Sequence, residues 1–199
     1  DGRMNYFYLI LLAIAPGVAL VIFILLNDRY DHEPARLLFK VFFMGMLVTL
    51  PTIVVEFIGQ YFNIFNGILG KVVEAFIVVG LSEEYFKRRV VLRYAFYHPA
   101  FNEKLDGIVY CSLAALGFAT FENIFYVLTY YPMDQTIWIT RAFLSVPVHM
   151  LLGIIMGYYL AMAKYCPHPG KCKSYMTRSL LIPAALHGAF DFVLMSDYP

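Results

Sequence analysis

The stretch GLSEEYFKRR, Gly80 to Arg89, sets two adjacent carboxylates and three basic residues into a run that is otherwise as apolar as a lipid bilayer. A charged side chain at a bilayer centre costs about 2.5–3.5 kcal/mol on insertion scales, so Glu83 and Glu84 are tolerated only where they face protein or a water-filled interior. The pair is therefore a candidate functional site, and the apolar segments around it are its housing.

The wider composition agrees. The 199 residues are 61% hydrophobic, 15% charged and 18% aromatic, whereas soluble domains are about 45–50% apolar and about 25% charged. The chain reads as all-α, a polytopic membrane helix bundle. At about 20 apolar residues per crossing it holds about six transmembrane helices in a single integral-membrane domain, 4–199, with no room for a soluble domain. Asp1, Gly2 and Arg3 ahead of Met4 read as an appended remnant, and the stop three residues after Ser196 is compatible with a further helix lost from the C-terminus. A net charge of +1 and the lack of a basic tract interleaved with aromatics argue against a nucleic-acid partner. The lipid bilayer is the partner that composition implies.

Hydrophobic runs place the spans at about 5–26, 37–61, 69–89, 107–130, 138–164 and 176–195. Pro16-Gly17 is expected to bend the first. The stretch 62–70, with alternating aromatics, Asn and Gly, is expected at the membrane surface, and Tyr130, Tyr131 and Trp138 form an expected aromatic belt. Cys166, His168 and Cys172 fall in a loop with no second ligand cluster to complete a metal site, and a structural disulfide is not expected there. Of the fifteen Lys and Arg residues, eleven sit in or beside the loops after spans one, three and five. Arg3, Lys71 and Arg141 lie on the opposite side and Lys87 within span three. The positive-inside bias then puts the N-terminus outside the cell.

Each of the later spans carries ionisable or polar groups that lipid would reject. In span three, Glu83 with Lys87 and Glu84 with Arg88 stand at i,i+4 with the acid N-terminal, the favourable order for helical ion pairs. Span four carries Glu122 with Asn123 beside it, and span five carries His149, with Gly153 and Gly157 on the same face as a close-packing small-xxx-small pair. Span six carries His187 and Asp191 one turn apart, and a carboxylate beside an imidazole orients it and raises its basicity. Counted at 1.5 Å per residue these groups converge near mid-membrane, about 17–22 Å from each entry end. Two imidazoles plus carboxylates suit Zn²⁺, with a further carboxylate left to activate water.

In order along the chain, EEYFK (Glu83 to Lys87), FATFEN (Phe118 to Asn123), His149 and HGAFD (His187 to Asp191), together with DRYDHEP (Asp28 to Pro34) and LDGIVY (Leu105 to Tyr110), resemble the PrsW family of intramembrane proteases. That family is related to the type II CAAX prenyl endopeptidases and Abi proteins, but Glu122 stands where the CAAX group has histidine. The resemblance implies a zinc metalloprotease in a bacterial plasma membrane that cuts a single-pass membrane protein such as an anti-sigma factor, on its extracytoplasmic side, in stress signalling. It matches Glu83 and Glu84 to an essential glutamate pair, Glu122 to the second motif, and His149 and His187 to two histidines. Spacing leaves open which glutamate binds metal. Glu122, His149 and His187 are the expected ligands, Glu83 the base or a fourth ligand, and Glu84 a partner of Arg88. Lys87, Asn123 and Asp191 complete the catalytic set. A non-catalytic scaffold of the same fold and a metal-independent glutamate-type endopeptidase are the competing expectations.

Overall fold

Lipid cannot satisfy backbone N–H and C=O groups, so a chain this apolar is driven to bond its backbone within helices. The computed structural model describes residues 6–27, 32–130 and 136–196, and among these there is no strand. Six helical rods carry the chain. The first is α1, Tyr6–Asn27, which runs unbroken through Pro16. The second comprises α2, Ala35–Leu47, and α3, Thr49–Tyr61, interrupted at Val48. Pro51 lacks the N–H that would bond the Leu47 carbonyl, and Thr52 restores the turn by donating both its N–H and its hydroxyl to Val48 O, at 3.2 and 2.7 Å.

The third rod joins α4, Gly67–Val73, a π-helical stretch, Glu74–Leu81, and α5, Ser82–Tyr94. The fourth is α6, Lys104–Tyr130. The fifth joins α7, Ile137–Thr140, a second π-helical stretch, Arg141–Ser145, and α8, Val146–Lys164. The sixth is α9, Pro169–Ser196. Five rods are long and apolar enough to cross a membrane. The third matches them in length but carries Lys71, Glu74, Glu83, Glu84 and Lys87. The protein is a multi-pass membrane bundle.

α6 is the axis. Every residue from Val109 to Thr120 is buried, with α1, α2, α5 and α8 packed around it. The expected close face of α8 is real: a Cβ on Gly107 would stand 2.5 Å from Gly157 O, and one on Gly153 would stand 2.9 Å from Cys111 O. The π-helical stretch meets α9 in the same way, since a Cβ on Gly80 would lie 2.8 Å from Gly188 N. Backbones that approach this closely hold the functional side chains of α5, α6, α8 and α9 at fixed spacing.

Several expected boundaries shift. α9 starts at Pro169 rather than 176, because proline suits the first helical position, where its missing N–H has no partner to lose. The surface stretch 62–70 splits into an irregular segment at 62–66 and the start of α4, opened by Gly67 at φ 61°, a conformation that glycine adopts without penalty. Cys111, Cys166 and Cys172 are free thiols, in keeping with the expected lack of a disulfide. Arg3, Asp28, Arg29, Tyr131 and the side chain of Trp138 lie outside the described residues. Glu33, from the DRYDHEP segment, is buried and accepts from the Tyr110 hydroxyl.

Candidate active site

Glu83, Glu84 and Lys87 occupy the first two turns of α5 and are buried. Lys87 lies three residues from one acid and four from the other, so one ammonium serves both. Its Nζ donates to Glu83 Oε2 and to Glu84 Oε1, each at 2.8 Å, and sits 4.3 Å from the centre of the Phe118 ring. The expected Glu84–Arg88 pair does not form. Arg88 turns toward α9, where Nε donates to Ser179 Oγ and Nη2 to Met176 O, each at 2.9 Å, while the nearer Lys87 already holds Glu84.

The two histidines follow a common rule. His149 Nε2 is 3.0 Å from Glu122 Oε2 and its Nδ1 is 2.9 Å from Lys87 Nζ. A carboxylate accepts and an ammonium donates, so His149 is the Nε2–H tautomer and its Nδ1 lone pair faces the α5 cluster. His187 Nδ1 is 3.0 Å from Glu84 Oε1, so Nδ1 carries a proton, and Nε2 faces Asp191 Oδ2 and Glu83 Oε2. The two front nitrogens, His149 Nδ1 and His187 Nε2, lie 3.9 and 3.8 Å from one atom, Glu83 Oε2. Each imidazole is thus held from behind by a carboxylate, Glu122 or Glu84, and turns its other nitrogen toward the α5 cluster, where Lys87 Nζ already meets His149 Nδ1.

Asp191 stands elsewhere than expected. Its Oδ2 is 3.5 Å from His187 Nε2, the front nitrogen, and has no hydrogen-bond partner. Glu84 is the carboxylate at Nδ1, and Asp191 faces Nε2. Glu122 also departs from its expected part, for its Oε2 is taken by His149 and, at 2.9 Å, by Arg141 Nη2. Asn123 Nδ2 donates to Ala13 O at 2.7 Å and its Oδ1 accepts from Arg141 Nε at 3.2 Å.

These groups border one cavity of about 940 Å³, lined by Glu56, Glu83, Glu122, His149, His187 and Asp191 among others. Among the described residues, one group of His, Cys, Asp and Glu brings ligand atoms together, within 4.8 Å of one another: Glu83, Glu84, His149 and His187. Carboxylate oxygens with imidazole nitrogens are the donor set that zinc takes, so the residues fit the metal. Glu122 lies outside that group. A dication at this place competes with the Lys87 ammonium for the lone pairs of Glu83 and His149.

A family model described as PrsW family intramembrane metalloprotease matches residues 33–199. The chain belongs to the PrsW family. It is 38% identical over 191 residues to Protease PrsW of Clostridioides difficile, covering 96% of this chain and 80% of that one. It is 35% identical over 188 residues to Protease PrsW of Bacillus subtilis, covering 94% and 83%, and 39% identical over 182 residues to Protease PrsW of Oceanobacillus iheyensis, covering 91% and 80%. No solved structure matches the chain. This PrsW-family protein is a membrane-embedded protease, and two of its cavity residues, Glu56 and Arg141, have no part in the site expected from the sequence. Glu56, on α3, lines the cavity with its Oε1 buried and lacking a hydrogen-bond partner. As a lone carboxylate in an apolar helix it carried the same signal as Glu122. Arg141, the sole Lys or Arg in the long run from 136 to 163, also lines the cavity.

Proposed function

We propose that this PrsW-family protease is a zinc-dependent endopeptidase that cuts a single-pass membrane protein, of the anti-sigma-factor class, in the cavity bordered by α3, α5, α6, α8 and α9. The observation that carries the reading is the convergence of His149 Nδ1 and His187 Nε2 on Glu83 Oε2, at 3.9 and 3.8 Å. His149, His187 and Glu83 would hold the ion, a His₂Glu set of the kind found in catalytic zinc sites. Bound there, zinc supplies Lewis-acid polarisation of the scissile carbonyl and acidification of water. Glu84 and Glu122 hold the two imidazoles by their rear nitrogens, the part usually played by partners of metal-bound histidine. Asp191 Oδ2, unbonded at the front of His187, takes the proton of the attacking water, which requires a carboxylate within reach of the cavity and free of a competing cation.

Approach from the extracytoplasmic side is supported by the shape of the cavity. Its lining continues to Gln60, Lys71, Glu74 and Tyr130, at the ends of α3, α4 and α6 remote from the basic loops, and the positive-inside bias assigns that side to the exterior of a bacterial plasma membrane. One observation favours a second reading. Lys87 already supplies positive charge among the same donors, as a metal-independent glutamate mechanism would need. The experiment is cleavage of a single-pass reporter by the protein in liposomes, with metal content measured in parallel. Loss of cleavage in chelator, restored by one equivalent of Zn²⁺, is the expected outcome. Undiminished cleavage by metal-free protein sinks the zinc reading and leaves the glutamate one.

A further inference from the structure

His149 is held at both ring edges, by Lys87 at Nδ1 and from behind by a carboxylate at Nε2. That group is Glu122, and Glu122 is in turn held by a residue on the same rod as the histidine. Arg141 Nη2 lies 2.9 Å from Glu122 Oε2, the same oxygen that His149 Nε2 meets at 3.0 Å. Arg141 Nε donates to Asn123 Oδ1 at 3.2 Å, and the guanidinium carbon lies 3.9 Å from the centre of the Tyr126 ring. Asn123 passes the tether on to Ala13 O of α1. The guanidinium thus meets α6 on three sides, by a hydrogen bond to Asn123, a face on Tyr126 and a charge contact with Glu122 that lacks hydrogen-bond geometry at Nη2.

The backbone explains how Arg141 and His149 reach one oxygen. In an uninterrupted α-helix with 3.6 residues per turn, positions eight apart point about 80° away from each other. Arg141 opens the π-helical stretch Arg141–Ser145, whose wider i→i+5 turns absorb that offset. A regular helix would aim Arg141 elsewhere. Wide turns of this kind are frequent at functional sites, and here the widening has a definite consequence for side-chain direction.

We propose that Arg141 is a positioning residue of this protease: it keeps Glu122 against α6, so that Glu122, together with Lys87 at Nδ1, holds His149 in the Nε2–H tautomer with Nδ1 turned toward the reaction centre. The proposal rests on the assignment of His149 to that centre, and its test separates the two. In liposomes, wild type, Arg141→Gln, Arg141→Lys, Glu122→Gln and the Arg141→Gln/Glu122→Gln double variant are compared by cleavage kinetics on one single-pass reporter. The tautomer of His149 is read in the same samples by ¹⁵N-imidazole solid-state NMR, which needs neither metal nor turnover. Arg141→Gln is expected to lower kcat about 10–100-fold, the range seen when outer partners of a metal-binding histidine are lost. KM should move by less than about twofold, whereas a direct substrate contact by this cavity-lining side chain would raise KM instead. Arg141→Lys, which keeps the charge but not the fork, should fall between the two, and the Arg141→Gln loss should largely vanish in the Glu122→Gln background. The NMR should show one tautomer in wild type and a mixture in Arg141→Gln. A single unchanged tautomer in both Arg141 variants, or losses that simply add with those of Glu122→Gln, overturns the proposal. Wild type that cuts nothing while the tautomer responds as expected defeats the proteolytic reading and leaves the clamp standing.

Discussion

Replacing Lys87 by methionine removes the one cation that the two α5 carboxylates share while nearly keeping its length. Lys87 is 1% exposed and makes two 2.8 Å contacts to Glu83 and Glu84. Each contact corresponds to about 6 kcal/mol of Coulomb energy at an effective dielectric constant of about 20, most of it offset by desolvation. What remains on removing one partner of a buried pair is about 3–5 kcal/mol of destabilisation, because the other charges are left uncompensated. For a chain of this size each kcal/mol lowers the thermal midpoint by about 2–4 °C, so metal-free Lys87→Met should melt about 6–20 °C below wild type. Zinc should then act in the opposite sense. With the competing ammonium gone, an ion present at 100 times its dissociation constant returns about 2.7 kcal/mol, so Lys87→Met should gain more from zinc than wild type does. The assay is thermal unfolding of both proteins in nanodiscs, in chelator and across a zinc titration. A Lys87→Met midpoint matching wild type in chelator, with no zinc-dependent rise, would refute both the shared-cation account and the competition it implies.

Two further outcomes are expected. Glu84→Gln should reduce zinc affinity, measured by chelator competition, about 10–100-fold, since Glu84 holds His187 Nδ1; Asp191→Asn should instead lower the cleavage rate with affinity nearly kept, and the reverse pattern would exchange the two roles. Gly80→Ala should destabilise by about 1–3 kcal/mol, because its new methyl meets the α9 backbone at 2.8 and 2.9 Å, whereas Gly170→Ala, with nothing within 4 Å, should not; equal thermal midpoints for the two variants would contradict the close packing of the π-helical stretch on α9.

Much of the architecture was legible before any coordinates, because a bilayer imposes simple exclusions. It rejects unpaired backbone, so long apolar runs had to be helices, and it rejects charge, so Glu83, Glu84, Glu122, His149 and His187 stood out as a set. Five of the rods match spans that hydropathy alone suggests, and the glycines of α8 announced the contact with α6. Sequence spacing also placed Lys87 within reach of Glu83, since i,i+4 neighbours share a helix face.

Which atom meets which was decided only by the tertiary structure. Arg88 and Lys87 are equally plausible partners of Glu84 on a helical wheel, and α9 breaks the tie by offering Ser179 and the Met176 carbonyl to Arg88. The π-helical stretches, invisible to a 3.6-residue periodicity, rotate Arg141 onto Glu122 and so move that carboxylate from expected ligand to partner of His149. Glu84, expected beside Arg88, meets His187 Nδ1 instead, while Asp191 faces Nε2: which nitrogen meets which acid depends on how α5 and α9 are rotated about their axes. Composition and spacing determine that buried charges must meet inside this bundle, because lipid excludes them. Their order within the cluster follows from the rotation and close approach of rods far apart in the chain, set by wide turns that no local pattern encodes and by which backbone each glycine meets.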